Sequence, residues 1–80
     1  MTAPLKITLE TAKRIYIAAG GNKDHSDTEW TQIHPEMDAV VNARTDRAAA
    51  KVIDWWSCWD ARYTASAFAR RVRKAHQAQP

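Results

Sequence analysis

Three histidines, a single cysteine and a short acidic segment supply the side chains with which this chain could catalyse a reaction or bind a metal ion. The run from Asp24 to Asp27 holds the residue types of a hydrolase triad. Triads are assembled from separated chain positions, however, because neighbouring residues seldom point at one another. His25, His34 and His76 show no zinc-ligand spacing with one another or with Cys58. We therefore predict no catalytic residue, no metal site, no cofactor and no enzymatic activity.

The cysteine and the two glycines have ordinary structural interpretations. Cys58 is followed by Trp59 and Asp60, so no neighbouring base stabilises a thiolate. A lone cysteine cannot form an internal disulfide, which leads us to expect a reducing, cytoplasmic location. Gly20 and Gly21 lack the further glycines and the Lys-Ser/Thr pair of a phosphate loop, and we interpret them as the end of a helix.

A tryptophan-rich segment is the first candidate binding feature, with three indoles in the five positions 55–59. On a helix, Trp56 would face the core, whereas Trp55 lies on the flank of the same apolar stripe and Trp59 lies beside it. One interpretation is a central helix that packs on both sides, against the first and the last helix. The other is that Trp55, and with it Trp59, is partly exposed and anchors a partner, because Trp and Arg dominate interface hot spots.

The basic side of the last predicted helix is the second candidate. Arg62, Arg70, Arg73 and Lys74 project within about 120° of one another, without an acidic residue among them. Charge on an exposed face often only interacts with solvent, but such a face usually mixes both signs to gain i, i+4 ion pairs. Four cations without an acid instead fit a phosphate backbone or an acidic protein surface.

The two signs of charge are separated along the chain, although the formal net charge is only +3. Five acids and no Lys or Arg lie between Asp24 and Asp38, whereas residues 61–80 hold five cations and no acid. This separation influences the choice of partner more than the net charge does. No apolar run approaches the roughly 18 to 20 residues that span a bilayer, so we expect neither membrane insertion nor export.

Helices predicted from hydrophobic spacing position these residues. The first covers residues 7–21 with Thr8 as its cap, although the alternation over residues 5–9 leaves a short strand as an alternative. Ser26 or Asp27 then caps a short turn. A second helix opens at Pro35, because proline is favoured at the first helical position.

Two further helices are predicted in the second half of the chain. One runs from Arg47 to Asp60, after Thr45 or Asp46 recaps the chain. Its predicted buried face comprises Ala48, Ala49, Val52, Trp56 and Trp59. The last helix runs from about Asp60, its predicted cap, to His76, with an apolar stripe that includes Phe68 and Val72.

These elements predict an all-α fold, a compact bundle of three to four helices with the tryptophan-bearing helix at its centre. We expect one domain over residues 1–80, in which residues 1–6 and 77–80 are frayed.

A small helical domain with the dense segment Trp55-Trp-Ser-Cys-Trp59 and separated charges resembles the small anti-CRISPR proteins of phages. The resemblance lies in the general character of the chain. It implies that the protein blocks a CRISPR surveillance complex in the host cell cytoplasm, by occupying its nucleic-acid or nuclease-recruitment surface. We therefore predict a non-enzymatic inhibitor that binds a host protein or ribonucleoprotein complex. The alternative is a small basic protein that binds DNA or RNA directly through its last helix.

Overall fold

Four α-helices form the part of the chain that our computed structural model describes, which is residues 5–54 and 64–78. In chain order they are α1 (Leu9–Ala18), α2 (Asp27–Asn42), α3 (Asp46–Ile53) and α4 (Ala65–Gln77). This part contains no strand, so the prediction of an all-α bundle is confirmed and the alternative strand over residues 5–9 is wrong. Within these residues, no helix combines the length and the hydrophobicity that a transmembrane span requires.

Each described helix begins at a hydroxyl side chain, which accepts a hydrogen bond from the backbone N–H three residues later. This bond satisfies one of the amide groups that the first helical turn leaves without a partner. The predicted cap Thr8 is confirmed, and the structure selects Ser26 and Thr45 from the alternatives at the next two helices. The prediction of Asp60 as the last cap is wrong, because Thr64 is extended (ψ 163°) and caps α4 instead.

The end of α1 shows why two glycines follow it. Gly20 has a φ of 108°, in the left-handed region that favours glycine. Its N–H donates to the Ile17 carbonyl at 3.0 Å, and the Gly21 N–H donates to the Tyr16 carbonyl at 2.9 Å. This pair of bonds is a Schellman motif, which satisfies carbonyls of the last turn. The interpretation of the glycines as a helix end is confirmed.

The prediction that a short turn precedes a separate helix at Pro35 is wrong, because α2 runs without a break from Asp27 to Asn42. Proline removes one backbone hydrogen bond and crowds the carbonyl of Thr31, four residues earlier. Both residues are exposed, so water can solvate the Thr31 carbonyl. The continuous helix is favoured by its buried side chains, which recur at helical spacing on both sides of the proline: Trp30, Ile33, Met37 and Val40.

The buried face of α3 also differs from the prediction. Ala48 is exposed and Val52 is only half-buried, whereas Ala49, Ala50 and Ile53 are buried. The observed face is therefore turned by about one residue, or about 100°, from the predicted one. The reason is that the described part of α3 packs against α2 and α4, so the expectation that it packs against the first helix, α1, is wrong. The predicted continuation of this helix with Trp56 and Trp59 lies outside the described residues.

The core draws on all four helices and has Tyr16 and Phe68 as its largest fully buried side chains. The Tyr16 ring makes edge-to-face contacts with Trp30 and with Phe68, each with 5.5 Å between ring centroids. These contacts join α1 to α2 and α4. The Cα radius of gyration of 11.5 Å is that of a compact domain of this size, for which about 11 to 12 Å is expected.

A substitution at Gly21 tests how closely the chain packs against the Tyr16 ring. A Cβ atom at Gly21 would overlap the Tyr16 ring. We expect Gly21→Ala to lower the free energy of unfolding by about 1 to 3 kcal/mol, as other overpacking substitutions do. Thermal denaturation followed by circular dichroism measures this effect. The control is Ser66→Thr, which adds one methyl group at an exposed site and should change stability by less than about 0.5 kcal/mol. Equal melting temperatures for the two variants would contradict the packing described here.

Candidate functional site

The six predicted binding residues fall into two groups. Trp55, Trp59 and Arg62 lie outside the described residues, so their predicted roles stay predictions. The other three, Arg70, Arg73 and Lys74, lie on α4. Their surroundings differ so strongly that they do not form one equivalent stripe.

Arg73 is a structural residue, and the expectation that it projects from α4 as an exposed cation is wrong. Its side chain is only 18% exposed. Its Nη1 donates to the carbonyl oxygens of Val40 (3.1 Å) and Ala43 (2.7 Å) at the end of α2. Its Nε lies 3.0 Å from Oδ1 of Asp46, the first residue of α3. One guanidinium group therefore joins α2, α3 and α4.

Arg71 performs a similar task at the end of α1. Its Nε donates to the carbonyl of Ala19, the C-cap residue, at 2.7 Å. The last turns of α1 and α2 contain no basic residue of their own. Because the carbonyls of a last turn carry partial negative charge, a cation placed there is stabilising. Both helix ends thus receive their cation from α4.

The remaining two cations of α4 in this region point to solvent. The Arg70 side chain is 70% exposed, and its Nε lies 4.0 Å from Asp46 Oδ2, a distance at which an exposed ion pair contributes little. Lys74 lies one helical turn further on and is also exposed. These two residues keep the surface position that the sequence predicted for them.

The structure adds two cations that the sequence analysis did not single out. Arg44 and Arg47 are exposed and flank Thr45 and Asp46 at the start of α3. Asp46 reaches towards Arg70, so the start of α3 and the exposed side of α4 are neighbours. We call Arg44, Arg47, Arg70 and Lys74 the basic surface. The sequence did contain a signal for Arg47, which lies on the polar side of the helix predicted over residues 47–60.

Some acids of the segment between Asp24 and Asp38 make hydrogen bonds within the fold. Oδ1 of Asp38 accepts hydrogen bonds from the backbone N–H groups of Lys6 (2.8 Å) and Ile7 (3.0 Å). His34 Nε2 lies 2.7 Å from the Ile7 carbonyl and donates to it, because a carbonyl oxygen can only accept. Together, two side chains of α2 hold the segment that leads into α1. Asp38 is thus a structural carboxylate, although its sequence neighbourhood suggested a free acidic surface.

The Asp24 to Asp27 segment has a different use from the triad that its residue types suggested. The Ser26 hydroxyl accepts the Glu29 N–H, and a Glu29 carboxylate oxygen accepts the Ser26 N–H, so the two form a capping box. The backbone N–H of Ser26 is the main reason that the pKa of the Glu29 carboxyl lies below its ordinary value.

His25 lies between α1 and α2. Its Nε2 is 3.2 Å from the Tyr16 hydroxyl, and its Nδ1 is 3.7 Å from Glu29 Oε1. Its ring also meets Trp30 edge to face, at 5.0 Å between centroids. Because Tyr16 and Trp30 are buried, this cluster fixes the packing of α1 on α2.

No family model, curated protein or solved structure matches this chain. Among the described residues, no three His, Cys, Asp or Glu side chains form a group that could hold a metal ion. Among the described residues, we therefore consider the basic surface, with its four exposed cations, as the candidate binding site.

The contrast between Arg73 and Arg70 gives a stability test. We expect Arg73→Ala to lower the free energy of unfolding by about 2 to 3 kcal/mol, because it removes charge-assisted bonds from partly buried carbonyls. Arg70→Ala is the matched control and should cost less than about 1 kcal/mol. Urea denaturation of both variants measures the difference. The assignment of Arg73 would be wrong if the two variants had the same stability.

Glu36 gives a test of pH dependence. Burial raises the pKa of its carboxyl above the ordinary value. The folded protein therefore binds this proton more tightly than the unfolded chain, and stability falls as the pH rises through the folded pKa. Glutamine has no ionisable carboxyl group, so we expect the Glu36→Gln variant to melt at a higher temperature than the original protein at neutral pH. The difference should shrink below about pH 4, where the unfolded carboxyl is also protonated. A difference that is the same at both pH values would contradict this account.

Proposed function

We propose that the chain is a non-enzymatic binding protein that inhibits a host protein or ribonucleoprotein complex, as its resemblance to the small anti-CRISPR proteins implies. The observation that carries the proposal is the basic surface, whose four cations are exposed. The helix ends are closed by other arginines, Arg71 and Arg73. The charge of the basic surface is therefore largely surplus to the needs of the fold.

A surplus of like charge favours binding over simple solvation. Cations that lie close together repel one another, and an anionic partner relieves that repulsion when it binds. Exposed faces without such a role usually mix both signs of charge. Asp46, the carboxylate that approaches Arg70, is already paired with Arg73 at 3.0 Å. The surface thus presents net positive charge to a partner.

The proposed place of action is the host cell cytoplasm. The single cysteine, Cys58, supports a reducing compartment, because small domains of oxidising compartments usually depend on disulfides. The proposed partner, a nucleic-acid-guided surveillance complex, offers anionic surfaces that a basic face can occupy.

Phage plating tests this proposal. The chain is expressed in bacteria with active CRISPR immunity of each major type in turn, and a phage targeted by that immunity is plated. We expect plaque numbers to rise in at least one strain, and the tagged chain to purify together with its surveillance complex. Arg70→Glu with Lys74→Glu should weaken that binding by about 10- to 100-fold, because each reversed contact costs on the order of 1 kcal/mol.

The matched control reverses two exposed cations outside the basic surface, as Arg14→Glu with Lys23→Glu. This variant has the same net charge as the first and should still raise plaque numbers. Unchanged plaque numbers in every strain would contradict the proposed inhibition.

A further inference from the structure

We infer that the basic surface binds the phosphate backbone of a nucleic acid, with Arg44 and Arg47 binding it alongside Arg70 and Lys74. The inference rests on the proposed function and names the chemical group that this surface recognises in the partner complex. It also assigns a binding role to the α2–α3 turn and the start of α3, in addition to the last helix.

Asp46 brings the two halves of the surface together. It lies between Arg44 and Arg47 in the chain, and its carboxylate contacts Arg73 (3.0 Å) and approaches Arg70 (4.0 Å). Lys74 then extends the surface by one turn of α4, or about 6 Å. The carboxylate of Asp46 thus places the start of α3, with Arg44 and Arg47 on either side of it in the chain, beside the part of α4 that carries Arg70.

The two described acids at the ends of α3 leave most of this charge in place. Asp46 is held by Arg73, which itself lies mostly inside the protein with 18% of its side chain exposed. Asp54 caps the other end of α3, eight residues or about 12 Å away. That distance exceeds the roughly 8 Å over which salt screens exposed charges. A bound anion would therefore meet net positive charge at the start of α3.

Within the described residues, the composition of the basic surface favours phosphate over an acidic protein. Protein interfaces centre on buried aromatic or aliphatic anchors. Within the described residues, the exposed large apolar side chains are Leu5, Leu9 and Ile17, all on α1 or just before it. The described parts of α3 and α4 offer charge instead. Three of the four cations are arginines, whose planar guanidinium group matches phosphate oxygens in pairs.

Binding to phosphates is independent of base sequence and depends steeply on salt. Four neutralised phosphates predict a slope of about −3.6 for the logarithm of affinity against the logarithm of salt concentration on duplex DNA. That slope corresponds to an affinity loss of about 150-fold between about 50 and 200 mM salt.

Fluorescence anisotropy of a short labelled DNA duplex, titrated with the full chain, tests the inference. We expect binding at about 50 mM salt with the slope given above. Arg44→Glu with Arg47→Glu removes two of four contacts, so the slope should fall to about −1.8 and the affinity should drop at least about tenfold. Arg14→Glu with Lys23→Glu again serves as the control of equal charge and should bind like the original protein. If the first variant fails to fold, Arg44→Gln with Arg47→Gln replaces it.

Two outcomes would overturn the inference: no binding of the duplex at low salt, or equal binding by the Arg44/Arg47 variant and the control. If the chain still inhibits its surveillance complex in the plating experiment, the proposed function stands and the inference of phosphate binding fails. If the duplex binds as expected but no strain shows inhibition, the inference holds and the proposed inhibition fails.

Discussion

The guanidinium group of Arg73 is the contact on which the arrangement of α2, α3 and α4 depends. It meets the last carbonyls of α2 and the first carboxylate of α3 from its position on α4. Without a cation at that point, a helix end carrying partial negative charge would face Asp46 across the turn 43–45. The apolar cores of α2, α3 and α4 can pack together because this polar junction beside them is satisfied. Arg71 closes the end of α1 by the same chemistry.

The need for a cation at these helix ends separates the cations of α4 into two groups. Arg71 and Arg73 turn back onto the backbone of earlier helices, whereas Arg70 and Lys74, on the same helix, extend into solvent. Because successive side chains of a helix point about 100° apart, four cations within residues 70–74 of α4 can serve both stability and the proposed binding. The acids divide in the same way, since Asp38 secures the entry to α1 while others remain exposed.

Much of the fold could be predicted from the sequence, because caps and apolar spacing are local signals. Thr8 and Gly20 mark the start and end of α1 as expected. The sequence predictions were wrong where contacts with a distant helix determine the structure. Packing of its buried side chains keeps α2 continuous through Pro35, and contacts with α2 and α4 set the buried face of α3. The site was predictable in part. Exposure of Arg70 follows from helical spacing, but the carbonyls that bind Arg73 belong to another helix and leave no periodic signal in the sequence.

A nitrogen–proton NMR spectrum of the arginine side chains separates the arginines that support the fold from those that face solvent. We expect the Nε–H signals of Arg71 and Arg73 to exchange slowly with water, because both groups are bonded within the fold. The signals of Arg44, Arg47 and Arg70 should exchange fast and should shift when a DNA duplex is added, while those of Arg71 and Arg73 stay in place. Uniformly fast exchange, or a duplex-induced shift confined to Arg71 and Arg73, would contradict the account.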